Sequence, residues 1–197
     1  MTQAESRTLV RQAIDQTDTT NTEFSNDAID DAVDFSRRAL ARILPAEFMP
    51  NLEAEGLVLD VVSGRAAYPA DYMRRKENKE VLVDVVVATE IKKGDEWLLR
   101  HLQSNEHIDD SFEVYYRELG SQGIQVYPAG SAKVTSFPYI KYPGTLDGSN
   151  NTDLPKDIED MSIDLAVEKL MRYPQGNLDI ALRLAQDRGY RIREMMK

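Results

Sequence analysis

The stretch FEVYYRELGSQGIQVYPAG, Phe112 to Gly130, decides the fold class. Two aromatic-rich runs flank GSQG, and the second ends on Tyr127-Pro128, which predicts a β-hairpin over 112–128. Phe112, Val114 and Tyr116 alternate with Glu113, Tyr115 and Arg117, the period of a half-buried strand. Such aromatics serve as a core, a stacking surface for nucleic acid, or a protein contact. A stacking platform wants cations between its rings, and only Arg117, Lys133 and Lys141 are at hand. Core or sheet face is therefore the default reading, while contact with another subunit through Tyr115, Arg117 and Tyr127 stays open.

Working outward, Leu57 to Val62 and Glu80 to Ile91 are rich in β-branched residues and read as strands. The second is apolar on both faces, which predicts one long strand covered on both sides. A short helix is expected in GDEWLLRHLQ, residues 94–103, and a further strand over 132–144 broken by Pro138, which favours an edge or a bulge. Both ends of the chain carry helical periodicity instead. Thr2 with Glu5 forms a capping box, and Leu9, Val10, Ala13 and Ile14 make a narrow stripe. Ser25 caps a second helix, with Phe24 and Ile29 as a hydrophobic staple and Pro45 as its stop. Asp27, Asp30, Asp31 and Asp34 crowd its first half, while Arg37, Arg38 and Arg42 occupy its second, matching the helix dipole. Pro155 opens a helix apolar around much of its circumference. Asn177 caps the last one, with Leu178, Ala181, Leu182, Ala185, Ile192 and Met196 as its stripe and Gly189 as a weak point. Helices and strands are segregated, so the class is α+β: a helical body from 1–56 and 147–197, and a β-rich insertion over 57–146.

At 197 residues, with 42% apolar and 29% charged, the chain has the composition of one soluble domain with an elaborated insertion. No apolar run approaches the roughly 20 residues that span a bilayer. The opening MTQAESRTLVRQ has no signal-peptide pattern, and there is no cysteine, so a cytoplasmic setting is expected. A net charge of −10 opposes the phosphate backbone of nucleic acid and argues against a DNA reader. It is compatible with a protein that DNA slides past.

Motifs that carry chemistry are sparse. His101 and His107 lie six apart, off a common helical face, and read as solvated rather than as a metal pair completed by Glu106, Asp109 or Asp110. Asp60, Asp71, Glu113 and Glu118 lie near strands, where a glycosidase sets its acid and nucleophile, but nothing singles out two of them. No phosphate-binding glycine loop and no nucleophile elbow occurs. The expectation is a non-enzymatic chain with no cofactor and no metal. A carboxylate-dependent wall hydrolase and an unrelated homo-oligomeric cytoplasmic binding module are the alternatives.

Four segments in order, YPADYMRR (68–75), EVYYRELGSQGIQVYPAG (113–130), YIKYPGTL (139–146) and LPKDIEDMSIDLAVEKLM (154–171), give the chain a resemblance to the head-to-tail adaptor, or connector, proteins of tailed bacteriophages. The valine-rich strand before Ile91 and the GDEWLLRHL helix depart from that pattern. The resemblance implies a structural virion protein of the neck, assembled in the host cytoplasm as a ring, commonly of twelve copies, between the portal and the tail. Double-stranded DNA would pass through without tight binding. It implies portal docking by the C-terminal segment, here Arg188, Arg191, Arg193, Met195, Met196 and Lys197, a lumen or subunit contact for the aspartates and arginines of the second helix, and a tail-facing or inter-subunit place for Tyr115, Arg117 and Tyr127.

Overall fold

The structure, a computed structural model, describes residues 1–14, 24–77, 79–92, 94–103, 113–128, 130–131, 133–149, 151, 153–173 and 176–196. In chain order the elements are α1 (Gln3–Ala13), α2 (Asn26–Ile43), β1 (Glu53–Ala54), β2 (Leu59–Asp60), β3 (Arg65–Ala66), β4 (Tyr72–Arg75), β5 (Val81–Val83), β6 (Val86–Glu90), α3 (Glu96–Gln103), β7 (Val114–Glu118), β8 (Ile124–Tyr127), β9 (Lys133–Ser136), β10 (Tyr139–Lys141), α4 (Lys156–Met171) and α5 (Leu178–Met195). The class is α+β. Two compact units form, a helical one from Met1–Leu52 with Tyr142–Lys197, and a β-rich one over Glu53–Lys141. The β-rich unit starts before the Leu57 read from sequence because Glu53 and Ala54 pair with Ile140 and Tyr139.

In the helical unit the caps act as their residue types require. Thr2 Oγ1 accepts from the Glu5 backbone N–H at 3.2 Å, and the Glu5 carboxylate accepts from the Thr2 N–H at 2.7 Å. Ser25 accepts from Ala28 N–H at 3.2 Å, and Phe24 and Ile29 are both buried in the same cluster. Helix α4 is the central element, burying Ile158, Met161, Ile163, Ala166, Val167, Leu170 and Met171. Around it pack Val10 of α1, Ile29, Ala32 and Val33 of α2, and Ala181 of α5. Helix α5 runs unbroken through Gly189, and of its expected stripe only Ala181 is buried. It turns Ile180 and Leu184 to the core instead and leaves Leu178, Leu182 and Met196 exposed.

The β-rich unit holds a three-stranded sheet in the order β1-β10-β4 and a seven-stranded sheet in the order β2-β9-β5-β6-β7-β8-β3. The hairpin of the opening stretch is present as β7 and β8, with Tyr116 opposite Val126 and Tyr115 opposite Tyr127. Its loop needs Gly123, which sits at φ +121° with Ala66 O only 2.1 Å from where a Cβ would stand. Strands β6 and β7 run parallel, joined through α3. Pro138 breaks the chain between two strands of different sheets, β9 and β10, neither of them an edge. The YPADY turn is explained by packing. The Tyr68 and Tyr72 rings stack at 3.8 Å, Phe137 lies 5.7 Å from Tyr68, and Tyr139 Oη donates to Asp71 at 2.9 Å.

The expected single strand over 80–91 is a hairpin. Strand β5 turns through Asp84 and Val85 into β6, with Val83 opposite Val86. Both turn residues have positive φ, 45° and 65°. Asn-Gly or Asp-Gly ordinarily fills such a loop, and no glycine advertises this one. Strand β9 holds it, with Lys133 N–H donating to Asp84 Oδ1 at 3.0 Å and Val85 N–H to Thr135 Oγ1 at 3.0 Å. Val85 is 79% exposed, so the strained side chain gains nothing from burial. Relieving it with Val85→Gly is expected to raise stability by about 1 kcal/mol in urea unfolding. An unchanged or lowered midpoint would contradict the strained turn.

Candidate functional site

The charged second helix divides its residues between two jobs. Its inner face buries Ile29, Ala32, Val33, Ser36, Arg37, Leu40 and Ala41. Its outer face exposes Asp27, Asp31, Phe35, Arg38, Arg42 and Ile43. Asp30 belongs to neither group in full: it accepts from Arg7 Nε at 2.8 Å and from Gln3 Nε2 at 2.8 Å, tying α2 to α1. Asp34 is half-buried, and burial pushes its carboxyl above the ordinary range despite a backbone hydrogen bond from Leu146 and the charge of Arg37. Arg42 donates to Tyr142 Oη at 2.9 Å. Between Asp31, Phe35, Arg38, Ala39, Ile43 and Lys169 opens a cleft of about 770 Å³. The Lys169 ammonium lies 4.0 Å over the Phe35 ring at its side.

Arg37, expected at a lumen or subunit contact, is internal. It is 1% exposed, donates to Gly144 O at 2.5 Å and to Asn151 Oδ1 at 2.8 Å, and its Nη2 lies 3.6 Å from Glu159 Oε1. The Met1 ammonium sits 3.2 Å from the other Glu159 oxygen and donates to Asn151 O at 2.7 Å. Asp153 closes the loop by accepting from Gly144 N–H at 2.7 Å. Desolvation lowers the Arg37 pKa, yet a guanidinium keeps its charge, so the node is a buried ion pair with the Gly144 carbonyl and the Asn151 side chain as further acceptors.

The basic C-terminal segment is likewise partly committed inside the chain. Arg188 pairs with the buried Glu168, which also accepts from Arg172 Nη2 at 2.6 Å. Arg191 Nη1 lies 2.9 Å from Asp164, whose carboxyl burial pushes up in pKa. These pairs clamp α5 onto α4. Arg193 is exposed and donates to Gly189 O at 3.0 Å, Met195 is half-buried, Met196 is exposed, and Lys197 lies outside the described residues.

In the β-rich unit Tyr127 is 5% exposed, in a small cluster with Ile91 and Leu102 under α3, so its ring is not a free surface of that unit. Tyr115 packs at the edge of the same cluster and donates to Glu113, while Arg117 is exposed. The carboxylates weighed for acid–base work have separate occupations. Arg75 holds Glu118 at 3.0 Å and Glu90 at 2.7 Å, Asp71 serves Tyr139, and Asp60 is exposed on β2. Glu106, His107, Asp109 and Asp110 lie outside the described residues, as does the side chain of His101. Among the described residues no three of His, Asp and Glu gather as a metal-holding group, and no helix is long and apolar enough to cross a membrane.

Sequence reasoning missed Glu159 and Glu168. Both are buried among the apolar residues of α4, and an acid on a buried face signals a cation facing it. The model of the family described as SU10 adaptor protein matches residues 1–195. No curated protein matches the sequence.

Replacing Arg37 with Met is expected to lower stability by about 3 kcal/mol in urea unfolding, because Glu159 loses a buried partner. Wild-type stability would contradict the node. Asp34→Asn is expected to raise the Tm near neutral pH. Burial holds the folded pKa of Asp34 above the ordinary aspartate value of 3.8, so its charged form is disfavoured in the fold. The gain is full above the raised pKa and vanishes as pH falls below 3.8; a pH-independent change would contradict it.

Proposed function

Because the chain belongs to the SU10 adaptor protein family, a phage adaptor-type family, we propose that it is a structural virion protein that assembles as a ring between the capsid portal and the tail, around the path of the genome. The observation that carries this reading is the division of charge in the helical unit. Arg7, Arg37, Arg188 and Arg191 are engaged by acids within the chain, whereas Asp27 and Asp31 remain on an outer helical face beside exposed Phe35 and Ile43. A face of that kind meets neighbours. On this reading the protein's work is mechanical joining.

The net charge of −10 supports the same reading. Gripping duplex DNA requires Lys and Arg contacts that release counterions, and a ring of acidic copies supplies a wall that DNA does not adhere to. Asp27 and Asp31 are the aspartates free to contribute to that wall or to subunit pairing, since Asp30 is held by Arg7 and Asp34 is half-buried. Arg193 and Met196 are the exposed members of the proposed portal-docking segment.

The test is sedimentation with an isolated portal ring and, separately, with duplex DNA at physiological ionic strength. The chain alone should run as a monomer or weak oligomer, join the portal peak, and leave DNA free. Failure to join the portal, or tight retention of duplex, contradicts the proposal. Asp27→Lys with Asp31→Lys should keep the monomer's far-UV spectrum, at a Tm a few degrees lower because Asp27 sits in the first turn of α2, while disturbing ring formation or slowing DNA ejection. A variant normal in both ejection and ring formation counts against the acidic face.

A further inference from the structure

Helix α5 is held to α4 by two different forces, one in each half. In the first half Ala181 is fully buried, and Ile180 and Leu184 pack on the apolar cluster around α4. From Ala185 to Met196 no residue is buried, and charge carries the side that meets α4. Arg188 pairs with Glu168, and Arg191 Nη1 lies 2.9 Å from Asp164 Oδ2. Glu168 is the deeper anchor, its side chain only 5% exposed, whereas Arg191 is 52% exposed and a pair that open to water adds little. Gly189 stands between the two arginines. It has the lowest helix propensity of any residue but proline, and a Cβ there would meet no atom within 4 Å.

We propose that residues 185–196 form an ionic latch. This half of α5 opens from α4 as a unit while residues 178–184 stay docked, and until it opens the internal pairs hold Arg188 and Arg191 back from any partner. Local opening costs least where few apolar contacts must break, and in α5 those contacts end at Leu184. Opening does not strand Glu168, because Arg172 pairs with it at 2.6 Å from the last turn of the same helical segment and stays behind. Salt acts on the two halves differently. Screening shortens from about 30 Å at 0.01 M to about 10 Å at 0.1 M and weakens the ion pairs, while the apolar half has no charge to screen. A guanidinium turned to Glu168 or Asp164 is not presented outward. Contact with an acidic partner surface through Arg188 and Arg191 therefore competes with the pairs inside the chain.

The opening stands on the helical unit alone; only the withheld docking rests on the adaptor reading. Hydrogen exchange on the full chain, read by mass spectrometry, tests the first. At low salt the amides of 188–195 should exchange at least about tenfold faster than those of 158–171, with the step falling after Leu184. Raising salt to about 0.5 M should speed the far half about threefold more and leave α4 unchanged. Glu168→Gln should speed the same amides about tenfold. If that variant also loosens α4, the exposed Arg191→Gln takes its place and should speed them about threefold. Simple fraying would grade smoothly inward from Met196 and ignore Glu168. Far-half amides that exchange no faster than α4, or that ignore both salt and these substitutions, overturn the latch. In sedimentation with the portal ring, Glu168→Gln should join at a several-fold lower concentration than the wild type. Equal affinity overturns the withheld docking. A wild-type chain that opens as described yet never joins the portal removes the adaptor reading and leaves the latch standing.

Discussion

Everything in the helical unit depends on Arg37 being held out of water. A guanidinium 1% exposed is tolerable only if its charge is answered, and the answer to its two terminal nitrogens comes from three directions. Gly144 O and Asn151 Oδ1 come from the segment that re-enters the unit, and Glu159 comes from the first turn of α4. The Met1 ammonium brings in the start of α1 through the same carboxylate. Segments more than a hundred residues apart in sequence are thereby fixed in one register around α4. Apolar contact alone would leave the helices freer to slide, because hydrophobic burial has no direction.

A second layer of charge fixes the other helices. Arg7 with Asp30 ties α1 to α2, and Arg188 with Glu168 and Arg191 with Asp164 tie α5 to α4. Once these pairs are made, the remaining surface is uneven. Acids remain on α2, and two apolar seams remain on α2 and α5. In a protein built to join others, that unevenness is the useful product of the fold, and the internal pairs keep the surfaces in fixed positions.

Much of the architecture was legible from residue types. Thr2, Ser25 and Asn177 mark helix starts through local hydrogen bonds that need no tertiary context, and the alternation around Tyr116 identifies the β7–β8 hairpin. What failed to show had competing physics. The 81–90 run looks like one strand because its turn is Asp84-Val85, held by β9 rather than by glycine. The α5 stripe was visible as a pattern, but periodicity does not say whether a seam meets its own chain or another. Arg37 resembled Arg38 and Arg42 until the fold turned it inward by one helical step. The buried Glu159 and Glu168 were the overlooked clue that α4 faces cations.

The most direct measurement is a reconstruction of the assembled particle at side-chain resolution around the neck. The account predicts this chain as a ring between portal and tail, its helical unit intact around Arg37 and its α2 outer face against neighbouring copies or the genome path. Finding the chain outside the neck, or in the neck with that face turned away from both, would contradict it.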